Sequence, residues 1–354
     1  MSLLDRLKAR IRAGGPLTIA DYMAECLFDP TDGYYATREP FGTKGDFTTA
    51  PEISQMFGEL LGLCLAQSWL DQGAPSRFTL AELGPGRGTL MSDVLRATAK
   101  VPGFHAALNV VLAEASPRLR DIQRATIKHD ITFIDQADDL PDAPLFLIAN
   151  EFFDALPIRQ FIRIGDQWAE RLIGLSDDTL TFGLAEATDV PALKSRLNDT
   201  NQGDIVEICP AAEGWLAPIA TRIAQQGGTA LIIDYGSGPS LGDTFQALRA
   251  HEATDPLTNP GHADLTAHVD FVALSQIARA HHAEVTAITP QGPMLEALGI
   301  QARAAALARA LTGDALKSHE AAFHRLTSPS EMGTLFKAIA IFPKGHRSPA
   351  GFAP

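Results

Sequence analysis

Glu82, Gly84, Gly86 and Gly88 are the residues whose types and spacing speak first for chemistry. They belong to the run Phe78-Thr79-Leu80-Ala81-Glu82-Leu83-Gly84-Pro85-Gly86-Arg87-Gly88-Thr89-Leu90. That run reads as a short buried strand, a turn with three glycines at alternate positions, and a helix opening at about Thr89. Glycine allows a sharp turn and a close backbone approach to a ligand. The helix after it offers unpaired N–H groups and the positive end of its dipole. A dinucleotide loop would need G-x-G-x-x-G, and position 89, where the third glycine would stand, holds Thr. Glu82 also argues against a pyrophosphate, because two anions would meet there. An acid at that point suits a ligand with a cationic part, and S-adenosylmethionine carries both an ammonium and a sulfonium.

Leu108-Asn109-Val110-Val111-Leu112-Ala113-Glu114 reads as the next buried strand, ending in a carboxylate thirty-two residues after Glu82. In a doubly wound sheet the carboxyl ends of neighbouring strands converge on one crevice. An acid at such a tip can accept both hydroxyls of a ribose. Ser116 and Pro117 supply the N-cap and first-turn proline of a following helix. Asn150-Glu151-Phe152-Phe153-Asp154-Ala155-Leu156-Pro157 follows a fourth strand. Glu151 and Asp154, three residues apart at that tip, can grip a guanidinium. They could instead complement the dipole of a helical first turn. The stretch from Gly42 to Gln55 is too polar and glycine-rich for core; it either folds over a cofactor or caps the helix after it.

These residues need a scaffold, and other apolar runs supply it. Residues 131–134, 144–149 and 229–235 read as strands three to five, 283–288 as a sixth, and 335–342 as the strand that closes the sheet. Unbroken apolar runs indicate strands buried on both faces, and helical patterns between them indicate crossover connections. The fold class is therefore α/β. Five segments follow: an N-terminal helical region with a loop (1–75), a first core part (76–158), an insertion (159–207), a second core part (208–345) and a tail (346–354). Thr18 and Asp21 predict a capped helix to about Leu27, and a second helix is expected from near Pro51 to about Trp69. In the insertion, strands at 160–164 and 168–173 flank Gly165-Asp166 as a hairpin, with another at 179–183. The insertion is expected to cap the substrate side or to form an oligomer, conceivably a homodimer.

Composition bounds the function. With 354 residues the chain can bury a large core. A net charge of −13, from 42 acidic against 29 basic residues, disfavours nucleic acid as the main partner and suits a basic substrate. No apolar run is long enough to cross a bilayer. Cys26, Cys64 and Cys209 lie far apart, which suggests a reducing compartment and buried thiols. The basic, weakly amphipathic stretch from Met1 to Ala13 reads as a surface helix, so the expected location is the cytoplasm, or the mitochondrial matrix if the chain is eukaryotic. His251, Asp255, His262, Asp264, His268 and Asp270 invite a metal reading, but no pair has zinc-site spacing and none is assigned. Gly238-Pro239-Ser240-Leu241-Gly242 matches a hydrolase elbow in letters only, because Gly236 and Ser237 separate it from the strand.

The E-x-G-x-G-x-G order resembles motif I of class I methyltransferases. With Gly45-Asp46-Phe47-Thr48, Pro51-Glu52-Ile53-Ser54-Gln55, the 150–157 run, Asp234-Tyr235-Gly236, Gly242-Asp243-Thr244 and residues 264–271, the chain is similar to the MidA-like methyltransferase family over nearly its whole length. The resemblance implies a Rossmann-like seven-stranded sheet whose last strand returns antiparallel. It also implies S-adenosyl-L-methionine as cofactor and a protein arginine as acceptor. The family's mitochondrial branch methylates a core subunit of respiratory complex I during its assembly. On this reading Glu82, Gly84, Gly86, Gly88, Glu114 and Asn150 hold the cofactor, and Glu151 and Asp154 act on the acceptor. Gly45, Asp46, Phe47, Thr48, Pro51, Glu52 and His268 form the substrate side. A non-catalytic, cofactor-binding assembly factor or chaperone with the same fold is the alternative.

Overall fold

Among the described residues seven strands make the continuous path of the central sheet: β1 (Phe78–Leu83), β2 (Leu108–Ala113), β3 (Ile131–Ile134), β4 (Leu145–Asn150), β5 (Gly228–Ser237), β6 (Glu284–Val285) and β7 (Phe336–Phe342). The computed structural model describes residues 1–37, 49–250 and 252–353. The strand order is β6-β7-β5-β4-β1-β2-β3. Strands β1 to β5 are mutually parallel, and β7 runs antiparallel to both β5 and β6. The order reverses between β1 and β4, which opens a crevice at their carboxyl ends.

The sheet is covered on both faces because its strands alternate. Phe78 and Leu80 of β1 pack with Phe57, Leu61, Met91 and Val94 from helices Gln55–Asp71 and Thr89–Thr98. Ala81 and Leu83 point the other way, toward Leu216, Ile219 and Phe271 from helices Pro210–Gln226 and Phe271–Ala280. Period-two side chains sort a strand's residues between two layers in this way. Every residue of β1 and β4 is buried.

Two elements depart from the sequence expectation. The helix expected from Pro51 to Trp69 is broken at Ser54, whose φ of −160° separates Ala50–Ile53 from Gln55–Asp71. The Ser54 hydroxyl accepts the Met56 N–H at 3.2 Å, so it caps a new helix rather than continuing an old one. Strand β6 spans two residues instead of six. Thr286 binds Ala340 through its N–H and, in return, through its hydroxyl at 3.0 Å, so the regular ladder stops there. Pairing with β7 resumes at Thr289–Pro290.

Residues Leu3–Gly14 and Ile19–Phe28 are helices, the latter capped by the Thr18 hydroxyl. Far from lying free on the surface, Leu3, Leu7 and Ile11 are buried with Tyr22, Ile173, Phe245 and Leu265. Leu17–Thr18 pairs with Gln167–Ser176, which joins Arg159–Ile164, Thr179–Leu184 and Ile205–Ile208 in a second sheet. The N-terminal region and the insertion therefore form one body beside the crevice.

Candidate active site

The glycine turn leaves β1 with Gly84, Gly86 and Gly88 at φ of +61°, +52° and +80°. At Gly84 a Cβ would meet the Phe152 ring at 3.0 Å as well as suffering the left-handed backbone, so glycine is required there. Gly88 is the N-cap of helix Thr89–Thr98 and leaves its first N–H groups without a side-chain cap. Glu82, at 3% exposure, lies just before this turn, and its Oε2 has no hydrogen-bond partner among the described residues. Burial pushes the carboxyl up to about 8; the Met91 N–H pulls against this and the Glu114 charge adds to it. A buried, unpaired acceptor of this kind is costly unless a donor or cation arrives.

Glu114 stands one residue past β2. Its Oε1 accepts the Ser116 N–H at 2.8 Å and its Oε2 accepts the Gln123 amide at 3.0 Å. Burial raises its pKa, opposed by those two bonds. The same Gln123 amide donates to the Gly86 carbonyl at 2.7 Å, tying the glycine turn to the second strand tip. Between them opens a cleft of about 380 Å³ whose walls include Gly84, Gly86, Glu114, Glu151, Phe152 and Trp215. That is room for a cofactor of nucleoside size. Phe152 and Trp215 meet edge to face at 5.1 Å.

At the tip of β4 the backbone turns without forming a helix, so the dipole reading of Glu151 and Asp154 does not apply. Glu151 adopts φ +51°, unusual for a residue with a Cβ. Its N–H donates to the Ile233 carbonyl at 2.9 Å, and its Oε1 accepts the Ala50 N–H at 3.2 Å and the Asn150 amide at 2.9 Å. Asn150 thus orients Glu151, while its own buried Oδ1 has no partner among the described residues. Asp154 is buried, with one carboxyl oxygen unpartnered among the described residues. Burial, then the Asp154 charge, pushes Glu151 up to about 7; burial pushes Asp154 up to about 6. Asp234, wholly buried on β5, is raised by burial and by both of these acids. Among the described residues no Lys or Arg pairs with the three; Arg325 touches Glu151 only through its field.

Of the remaining substrate-side residues, Pro51 is buried in the helical turn Ala50–Ile53 and Glu52 accepts the Thr89 hydroxyl at 2.5 Å. That stretch therefore bridges the glycine turn and Glu151. Gly45, Asp46, Phe47 and Thr48 lie outside the described residues, as does His251. His268 is exposed, with its ring edge-on to Tyr235 at 5.5 Å, which sets it on the Asp154 side of the site. Asp270 caps helix Phe271–Ala280 through the Ala273 N–H. Ser240 sits in no nucleophile elbow; its hydroxyl accepts the Glu207 N–H. Sequence reasoning passed over Gln123, Trp215 and Asp135, and named Phe152 and Asp234 only within family motifs, without a role. Asp135 follows β3 as Glu114 follows β2 and also lines the cleft, so the strand-tip rule, carried one strand further, would have found it.

Strand order, antiparallel last strand and glycine turn together define a class I methyltransferase. A family model of S-adenosyl-L-methionine-dependent methyltransferases matches residues 60–289, and the chain belongs to this family. It is 36% identical to the protein arginine methyltransferase NDUFAF7, mitochondrial, of Xenopus laevis, over 97% of this chain and 84% of that relative. To its Homo sapiens counterpart it is 35% identical over 96% and 83% of the two chains. Among solved structures, a COG1565 superfamily protein of Burkholderia thailandensis, crystallised bound to S-adenosyl-homocysteine, matches with a TM-score of 0.85. That match has 28% identity and covers 99% of this chain and 93% of the other. The family expected from the motifs is the one found.

Proposed function

We propose that this chain transfers the methyl group of S-adenosylmethionine to the guanidinium of an arginine in a protein. The observation that carries the reading is the group Glu151, Asp154 and Asp234: raised, clustered carboxyls with no paired cation among the described residues, next to a cofactor-sized cleft. The cofactor fits the residues present. The Glu82 and Asn150 oxygens, unpartnered among the described residues, suit donors, and the Glu114 carboxyl stands at a strand tip where a ribose would be held. Glu82, Gly84, Gly86, Gly88, Glu114 and Asn150 are the residues we assign to it. When bound, S-adenosylmethionine supplies an electrophilic methyl group.

The chain's own acids do the rest. An arginine side chain arrives protonated, its pKa above roughly 12. Glu151 and Asp154 take its N–H groups, hold the plane of the guanidinium in one orientation, and draw positive charge away from the nitrogen left free to react. The proton released on methylation passes to one of them, and their raised pKa values suit them to accept it. Lysine lacks the planar fork that two carboxylates can hold. The curated relatives named as protein arginine methyltransferases support this acceptor class. We assign Pro51, Glu52, His268 and the 45–48 segment to the acceptor side, and the 159–207 insertion to the cap over it.

An arginine of a respiratory complex I subunit, which the family resemblance implies, is the first acceptor to test. The location we retain is a reducing one, cytoplasm or mitochondrial matrix, in keeping with three unpaired cysteines. The relatives are themselves named as mitochondrial. Purified chain, labelled cofactor and candidate acceptors, read by mass spectrometry, test the reading. Methylarginine on the acceptor supports it; label on lysine, or binding of cofactor without any transfer, overturns it.

A further inference from the structure

Asp234 is fully buried near the carboxyl end of β5, yet it is satisfied in an unusual way. Its Oδ2 accepts two successive backbone N–H groups from the neighbouring turn, Phe153 at 3.1 Å and Asp154 at 3.3 Å. Its Oδ1 accepts the N–H of Tyr235 at 2.9 Å. The residue before it, Ile233, takes the Glu151 N–H through its carbonyl and pairs with Asn150 in the sheet. The residue after it, Tyr235, has its hydroxyl pKa raised by burial and by the nearby Asp154 charge. Two consecutive residues of β5, Ile233 and Asp234, therefore hold the backbone of the 151–154 turn.

Packing alone does not explain the residue. An apolar side chain at this wholly buried position would avoid the cost of a carboxylate surrounded by two others. The turn it holds includes Glu151 in the left-handed region, a conformation that persists only where its surroundings over-determine it. We propose that Asp234 is a positioning residue: its carboxyl oxygens fix the turn from which Glu151 and Asp154 take the acceptor. This rests on the acceptor role proposed above for those two acids. Asp234 touches neither the cofactor cleft nor, on this view, the acceptor itself.

The test compares Asp234→Ala and Asp234→Asn with the wild type in the full chain. Three quantities are measured: amide hydrogen exchange at Phe153 and Asp154, calorimetric affinity for S-adenosylhomocysteine, and kcat and KM on an arginine peptide. Asp234→Ala removes both acceptors, so exchange at the two amides should speed up and kcat/KM should fall by about a hundredfold, with cofactor affinity nearly unchanged. Asp234→Asn keeps one oxygen for the same two N–H groups, so protection should return and kcat/KM should recover to within about tenfold of wild type. Unchanged exchange or unchanged kcat/KM in the Ala variant overturns the proposal. So does a loss of cofactor affinity as large as the loss of kcat/KM, which would mean a role in the general fold.

Should the Ala variant not fold, the Asn variant decides. Faster exchange confined to Tyr235, which then faces an amide NH2, supports the proposal. Loss of protection at Phe153 and Asp154 with full activity, or loss of activity beyond a hundredfold with both amides still protected, overturns it. A wild type inactive on every arginine peptide sinks the acceptor reading instead, and the exchange measurement still reports whether Asp234 holds the turn.

Discussion

Gln123 and Glu114 are joined by a 3.0 Å hydrogen bond, and the same Gln123 amide reaches the Gly86 carbonyl at 2.7 Å. One side chain thus sets the distance between the glycine turn and the acid at the second strand tip. Gln123 is wholly buried, so water cannot replace it. Gln123→Leu should weaken S-adenosylhomocysteine binding by roughly ten- to a hundredfold, the usual worth of a hydrogen bond to a charged group. Acceptor KM at saturating cofactor should stay the same. Calorimetric titration checks the first point, and unaltered affinity would show that the strut is dispensable.

Glu151→Gln and Asp154→Asn should each lower methyl transfer by about 10²–10⁴-fold while leaving cofactor affinity nearly intact. If both acids act on one guanidinium, as proposed, the double variant should lose less than the sum of the two. Single-turnover methylation with cofactor binding measured in parallel separates the two effects. Wild-type rates in both single variants would move suspicion to His268 or to the 45–48 segment.

Acceptor capture should depend on pH through the same pair. Glu151 at about 7 and Asp154 at about 6 must be ionised to hold a cation, so kcat/KM for the acceptor should fall as pH drops through that window. They share one environment, so the profile reports macroscopic values of the pair. A bound guanidinium favours the ionised forms and should carry the acid limb of kcat to lower pH than that of kcat/KM. Superimposable limbs would count against a cation bound between them.

Glu82 makes the opposite kind of statement, about stability. Its folded value of about 8 lies above its ordinary 4.5, so the folded chain binds the proton more tightly than the unfolded one. The stability associated with that proton is present in full below about 4.5 and is lost as pH rises toward about 8. Glu82→Gln removes the titration. The ligand-free variant should be more stable than wild type at pH 8, by about 2–4 kcal/mol, and its Tm should vary less between pH 5 and 8. The same change should cripple cofactor binding. Melting curves across that range are the check, and identical pH dependence in the two proteins would remove Glu82 as the source.

The legible parts of the site were those whose signal is local. Glu82, the three glycines and Glu114 announce themselves because a buried strand must end in a turn, and the residue types at that turn are visible in one window. Glu151 and Asp154 were visible for the same reason, at the end of another apolar run. Asp234 was visible only as a letter of the Asp234-Tyr235-Gly236 motif, with no role attached to it. What gives it meaning is a pair of N–H groups about eighty residues earlier, brought beside it only by the parallel pairing of β4 and β5. Gln123 is a single polar letter in a surface-type helix until Gly86 and Glu114 fold around it. The broken helix at Ser54 and the shortened sixth strand at Thr286 likewise turn on one side-chain hydroxyl each, which hydropathy does not record.

Leu17 and Thr18 find their strand partners at Ile173 and Leu172, and the helices beside them bury Leu7 and Tyr22 against Phe245 and Leu265. During synthesis this segment leaves the ribosome about 150 residues before its strand partners and more than two hundred before Phe245 and Leu265. The parallel pairing of β1 to β4, by contrast, lies within residues 78–150 and is complete much earlier. The segment from Leu3 to Phe28 is therefore made before the strands of the central sheet and is among the last to dock. Until then it carries an apolar stripe of Leu3, Leu7 and Ile11 open to chaperones or to neighbouring nascent chains. Ribosome-stalled fragments ending near residue 200 should be cut readily within their first thirty residues, whereas fragments that expose residue 266 outside the exit tunnel should resist.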